Sequence, residues 1–263
     1  MWVVLLLAAW AAVLPSCGRL CRAAAAAAAI TGTTAGDRAP APPLTLYETA
    51  YLAGGPQRVT DLLLTAMSRR RRLLLAHTGW ATVIDPDGQD DLDDLERSLI
   101  RAIGPDGQSP VSRVRAEHRR TAAMTALADR LTAAGLAVPA QHRREQAAAV
   151  GQMRGACALV LATGAAAVLT LPPGEARGQA AGWFALPLVL TAGCLALALF
   201  DAPPHTRWAS PAGQRLLAEA ATRPRTTDAE QDVLILLAIR GHRAVADPGL
   251  RAALATRPHR QRI

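Results

Sequence analysis

Gly155 to Leu171 reads GACALVLATGAAAVLTL, and Ala180 to Phe200 reads AAGWFALPLVLTAGCLALALF. Neither stretch holds an Asp, Glu, Lys, Arg or His, and eight residues separate them. With a rise of about 1.5 Å per residue, helices through them run about 25 to 32 Å, close to the roughly 30 Å hydrocarbon core of a bilayer. The linker Pro172-Pro173-Gly174-Glu175-Ala176-Arg177-Gly178-Gln179 is polar and rich in helix breakers, as suits the tip of a helical hairpin at a membrane surface. The pair predicts a mainly α-helical integral membrane protein.

Outward from the hairpin, Met1 to Gly18 (MWVVLLLAAWAAVLPSCG) is a third uncharged stretch. It reads as an N-terminal anchor, a cleaved signal peptide or a lipoprotein leader ending at Leu14-Pro15-Ser16-Cys17. Both leaders normally start with a basic residue, whereas here the first cations, Arg19 and Arg22, follow the apolar run, which favours an anchor with its N-terminus outside. The remaining charge agrees. Arg19 to Arg154 holds 18 Arg and 14 acids, the tail from Asp201 holds 10 Arg and 6 acids, and the hairpin tip holds one of each. The basic excess thus flanks the hairpin on what must be one side, the cytoplasmic one. The predicted layout is an anchor over 1–18, an Ala- and Pro-rich linker over 19–43 and a cytoplasmic domain over 44–140. A transmembrane hairpin (155–171 and 180–200) and a cytoplasmic helical tail (201–263) follow.

The net charge of +8 comes from cations that are all Arg. Such a balance fits anionic lipid headgroups and topology; nucleic-acid binding is disfavoured because residues able to stack on bases are scarce. Cys157 and Cys194 lie in the spans as small apolar residues. Cys17 and Cys21 lack the further ligands a metal site needs.

Between 44 and 140 the signals are those of a small α+β unit. Leu46 to Ala53 is a helix stopped by Gly54-Gly55, and Pro56 opens the next helix. In that helix Val59, Leu62, Leu63, Ala66 and Met67 share one stripe, with Arg58, Asp61 and Arg69 off it. Leu73 to Ala76 and Trp80 to Ile84 flank His77-Thr78-Gly79 as a β-hairpin. Leu92 to Ile103 is another amphipathic helix. Ser109-Pro110 is a cap-then-Pro start for one long helix ending near Gly135. Helices around a small hairpin resemble a winged-helix-like module. In the tail, Ser210-Pro211 and Asp247-Pro248 open two helices, and Val233 to Ile239 is too short to span.

Tyr51, Leu52, Ala53, Gly54, Gly55 and Pro56, with Arg58 two residues on, resemble the signature of a family of actinobacterial membrane proteins marked by Leu-Ala-Gly-Gly-Pro. Further likeness lies in the apolar helix after it, in Gly135-Leu136, in Pro211-Ala212-Gly213 and in Ala246 to Leu254. It runs from about Leu44 to Leu254. The resemblance implies one N-terminal span, a cytoplasmic domain, two more spans and a cytoplasmic tail, and it brings no activity. Many relatives carry a Gly- and Cys-rich tail; this sequence ends at Arg262-Ile263, so no metal or redox role is carried over.

Few residues point to chemistry. Gly54 and Gly55 suit positive φ or close packing and Pro56 a helix start; an anion on the free amides beside Arg58 is the sharper alternative. Arg69, Arg70, Arg71 and Arg72 read as a solvated turn, a lipid contact or a partner contact. Asp85 to Glu96 departs from the calcium-loop spacing, since its Gly is fourth rather than sixth, and reads as an acidic first helical turn. The six His residues do not fall in zinc-protease spacing, and no nucleophile elbow is present. No catalytic residue, cofactor or metal is therefore expected. Ala158, Ala162 and Ala166 form a small-residue stripe for contact with the third span or a second copy, and Trp183 and Trp208 sit where the third span should meet the interfaces. The expected function is that of a non-enzymatic adaptor or assembly module in the bacterial plasma membrane. Its partners would be the bilayer and a protein; a membrane-tethered nucleic-acid-binding regulator is the alternative.

Overall fold

The structure is a computed structural model that describes residues 2–33, 43–84, 92–171, 174–200, 208–222 and 229–255. The acidic run's 85–91 segment, Pro172-Pro173 of the hairpin tip and most of the Pro-rich linker lie outside the described residues. The chain is mainly helical with a small sheet, and it divides into two compact units: residues 1–37 with 139–204, and residues 38–138 with 205–263.

The first unit holds α1 (Trp2–Thr33), α6 (Ala140–Thr170) and α7 (Glu175–Phe200). These are three helices long and apolar enough to cross a membrane, through Trp2–Arg22, Ala140–Thr170 and Arg177–Ala196. Two bounds differ from the sequence reading. α1 passes the linker bound at 19 and continues through Ala23 to Ala29, a run able by its sequence to extend the helix, as far as Thr33, because Ala is the strongest helix former and nothing before Thr31 breaks the run. α6 begins at Ala140, so the polar turns through Arg143, Arg144 and Arg154 continue the same helix as the apolar stretch.

Ala9 and Val13 of α1, Val160 and Ala167 of α6 and Phe184 of α7 form the centre of this bundle. Gly164 admits Phe184, whose ring would stand 3.3 Å from a Cβ added there. The buried stripe of α6 is Ala149, Met153, Ala156, Val160 and Ala167, whereas Ala158, Ala162 and Ala166 are exposed. The three alanines therefore do not make the contact with the third span that was one of their two expected roles: Val160, Gly164 and Ala167 on the adjoining face receive Phe184 instead. Cys17 at the middle of α1 meets Cys194 near the end of α7, sulfur to sulfur at 3.8 Å, and Arg19 donates to Gln152 Oε1 of α6 at 2.8 Å. These pairs put α1 and α7 parallel, with α6 antiparallel to both. Mild oxidation of the full-length protein with copper phenanthroline should link Cys17 to Cys194 and leave Cys157 free, as read by peptide mass after proteolysis. A Cys157 cross-link in place of that pair would refute the packing.

In the second unit α2 (Leu46–Arg69) is central. Thr45 and Glu48 form a capping box at its start, and Gly55 breaks its path with φ 73° and ψ −164°. From Val59 to Met67 every residue is buried, Thr60, Asp61 and Thr65 included. The amphipathic stripe expected there is thus an all-round core helix. α9 (Ala229–Arg240), α8 (Pro211–Thr222), α4 (Val111–His118) and the sheet cover the faces that one stripe would have left to solvent.

The sheet has three antiparallel strands in the order β1 (Leu73–Leu75), β2 (Trp80–Val83), β3 (Gln108–Pro110). The expected hairpin is its first two strands. The third is built from Ser109-Pro110, which sequence assigns to a helix cap: Ser109 pairs with Ala81, so its backbone is spent on the ladder and α4 starts one residue later than expected. α3 (Asp94–Ile103) connects β2 to β3, and Glu96, three residues beyond its Asp93 N-cap, accepts from the Asp93 amide. The single long helix expected to follow is two, α4 and α5 (Ala122–Ala133). Thr121 divides them by donating to His118 O at 2.8 Å and capping the Met124 amide.

The tail belongs to this unit. α8 and α9, a 3-10 turn at His242–Ala244 and α10 (Pro248–Ala255) share one core with α2 to α5. Leu136 to Val138, where the chain departs toward α6, pairs antiparallel with Trp208 to Ser210, where it returns: Val138 N donates to Trp208 O at 2.9 Å and Ser210 N to Leu136 O at 2.8 Å.

Candidate functional site

The Tyr-Leu-Ala-Gly-Gly-Pro-x-Arg stretch is the joint on which the tail closes. Tyr51 lies edge-on to Trp208, centroids 5.6 Å apart. The left-handed kink at Gly55 faces that indole, and a Cβ there would overlap it. Trp208, expected from sequence at the end of the third span, is thus partly buried and packs against the core of the second unit. Leu52 is wholly buried and Ala53 packs against the core, while Pro56 O accepts from the Thr60 hydroxyl at 2.9 Å. Gly54 makes room for the Arg58 side chain, which lies where a Cβ would stand. Arg58 Nη1 donates to Leu237, Ala238 and Ile239 carbonyls at 3.2 to 3.3 Å, satisfying the open end of α9. Gly241, at φ 85°, ends that helix against the same guanidinium. Burial lowers the Arg58 pKa from its ordinary value, and Asp61 partly restores it.

A buried ion pair lies beside this joint. Arg115 Nε meets Asp61 Oδ1 at 2.6 Å with side chains only 10% and 4% exposed, and Arg115 Nη2 holds the Leu254 carbonyl of α10 at 2.6 Å. Burial raises the Asp61 carboxyl to about 6 although Arg115 pulls it down, so desolvation outweighs the pairing. His242 is held below its ordinary pKa by burial and by the charges of Arg115, Arg58 and Arg243.

A second polar cluster sits between α2, α3 and α4. His118 is fully buried, with Nδ1 2.8 Å from Thr60 Oγ1 and Nε2 3.0 Å from Ser98 Oγ. The neutral ring offers one N–H and one lone pair, so one hydroxyl accepts and the other donates. Burial lowers its pKa to about 4, although a backbone hydrogen bond with Leu95 pulls it up. Both ring nitrogens of His118 are engaged by hydroxyls of α2 and α3. Because the unfolded chain protonates His118 near 6.5 and the folded chain near 4, its contribution to stability is whole above pH 6.5 and is lost as pH falls toward 4. That difference is worth about 3 kcal/mol. Asp61 has the opposite sign: its raised pKa makes stability fall as pH rises from 3.8 to about 6. Between pH 6 and 6.5 the two oppose each other, because the folded Asp61 is still about half protonated at pH 6. His118→Gln should remove the His118 part and shift the pH slope of α2 amide exchange toward stability that falls as pH rises; a slope unchanged from wild type would refute the assignment.

Of the Arg run, Arg69, Arg70 and Arg71 are exposed; Arg70 pairs with the buried Glu96 at 2.9 Å, and Arg71 holds φ 57° at the turn into β1. A shallow groove of about 530 Å³ lies between α3 and the start of α5, lined by Asp94, Arg97, Ser98, Arg101 and Thr121. Arg97 is committed there to Asp94 and to Leu92 O. Among the described residues no three His, Cys, Asp or Glu side chains converge as a metal site would require.

The sequence reading missed the Asp61–Arg115 and Thr60–His118–Ser98 contacts. The only local signal for either was Thr60-Asp61 inside an apolar helix, and both partners come from α3 and α4. Comparison of the chain with protein-family models, with curated proteins and with solved structures finds no match.

Proposed function

We propose that the chain is a three-span protein of the bacterial plasma membrane, N-terminus outside, whose second unit lies in the cytoplasm and serves as a non-enzymatic adaptor or assembly module. The observation that carries this is the shared core of 38–138 and 205–263. A chain that leaves this core, passes through two membrane-length helices and returns to it must cross an even number of times. That agrees with the flanking Arg excess. The likeness to the actinobacterial Leu-Ala-Gly-Gly-Pro family supports the same layout, and the signature supports it through the joint that fastens the tail. The exposed stripe of Ala158, Ala162 and Ala166 suits self-association in the bilayer.

The alternative, a tethered nucleic-acid-binding regulator with a winged-helix-like domain, rests on helices flanking a small antiparallel sheet and on the Arg run. It ranks second because α2, the helix entering the sheet, has no exposed face from Val59 to Met67 with which to enter a groove. Purification of the full chain from native membranes after light cross-linking should bring down one protein at fixed stoichiometry. Recovery of the chain alone contradicts the adaptor reading, and steeply salt-dependent DNA binding by the full chain would favour the regulator.

A further inference from the structure

The three-stranded sheet has one face on the core; on the other, which also carries the partly buried Arg72, the described residues leave several apolar side chains exposed. Register puts Leu73 opposite Val83 and Leu75 opposite Ala81, with Leu73 and Ala81 buried. Because side chains alternate, Leu74, Thr82 and Gln108 share the opposite face. Trp80 and Pro110 share it too, as does Ile84, whose amide bonds to Arg72 O. On that face Leu74 is 59% exposed, Trp80 46% and Ile84 55%. Three large apolar side chains grouped on the solvent side of one small sheet mark an interaction surface.

Charge selects the occupant. Arg69 and Arg71 stand exposed at the edge where α2 turns into β1, and among the described residues neither is in an ion pair. Arg71 sits at φ 57° as the residue that closes α2: its amide donates to Ser68 O and the Arg72 amide to Met67 O. A Trp, two aliphatic side chains and adjacent guanidinium groups are the set that settles at a headgroup boundary: the indole and aliphatics enter the acyl edge, and the cations meet phosphate. Only Pro139 separates the second unit's first segment from α6, so a bilayer that α6 crosses holds this unit tethered by the chain and a weak contact suffices.

We propose that the outer sheet face of Leu74, Trp80 and Ile84, edged by Arg69 and Arg71, docks on the anionic headgroup surface of the membrane that α1, α6 and α7 cross. This rests on the membrane reading above and not on the adaptor role. Asp85, Asp87, Asp90 and Asp91 follow Ile84 in sequence and oppose such a surface, so changing all four to Asn should strengthen docking.

The test is tryptophan fluorescence of the full chain in nanodiscs of brominated phosphatidylcholine, with and without phosphatidylglycerol. Trp2, Trp10 and Trp183 of the candidate spans should be quenched in both lipids. Trp80 should add quenching only in the anionic discs. That increment should vanish in Trp80→Phe, fall at least twofold in Arg69→Ala/Arg71→Ala, and disappear in about 1 M salt, where the screening length is about 3 Å. Equal quenching in both lipids overturns the proposal, as does an increment that survives Trp80→Phe. A cross-link joining residue 80 of two chains would assign the face to a second copy instead. Absence of quenching from the three span tryptophans would overturn the membrane reading, and the docking with it.

Discussion

Gly55→Ala is expected to destabilise the second unit by about 2 to 6 kcal/mol, a large share of the roughly 5 to 15 kcal/mol that holds a domain together. Two costs add. At φ 73° and ψ −164° Gly55 occupies a region closed to residues with a Cβ, which costs about 1 to 3 kcal/mol. The new methyl also meets the Trp208 indole, and overpacking of that kind costs about 1 to 3 kcal/mol. Hydrogen exchange of the α2 and α8 amides in the full-length protein reads both. Adding Trp208→Ala removes the overlap but leaves the backbone strain and opens a cavity beside Tyr51, so the double variant should remain well below wild type. Exchange indistinguishable from wild type in Gly55→Ala would refute the kinked joint.

Arg115→Met should cost about 3 to 5 kcal/mol, because it leaves the Asp61 carboxylate buried without its counter-ion. It also frees the Leu254 carbonyl, so α10 should lose exchange protection first. The pH dependence distinguishes charge from packing. Asp61 already holds its proton up to about pH 6, and loss of Arg115 raises that further. The penalty is for an ionised buried carboxylate, so it should be larger at pH 8 than at pH 5. Asp61→Asn/Arg115→Met should be milder than Arg115→Met alone, since neither charge then remains buried. A penalty independent of pH would show Arg115 acting by its packing alone.

The sequence makes some of this architecture legible and hides the rest for physical reasons. The apolar runs reveal the membrane-length helices because a span is a local property of about 20 residues. Ser210-Pro211 and Asp247-Pro248 mark helix starts equally locally: Ser210 accepts from the Gly213 amide, and Asp247 from the Gly249 and Leu250 amides. Ser109-Pro110 carries the same signature and became a strand, since ladder pairing with Ala81 is a non-local contact that the dipeptide does not encode. Asp61 was read as solvent-facing because one stripe of α2 is apolar; its burial depends on α4 and α10, distant in sequence. Arg58 stands in the signature, but its partner carbonyls lie about 180 residues away, at 237 to 239. No pattern of spacing could show that Gly54 and Gly241 are both small to accommodate this one guanidinium.

Reporter fusions at Asp37, Gly174 and Ile263 in a bacterial host test the central claim most directly. Green fluorescent protein should be bright at Asp37 and Ile263 and dark at Gly174, and alkaline phosphatase should be active only at Gly174. Alkaline phosphatase activity at Asp37 and Ile263 would place the second unit outside the cell and contradict the account.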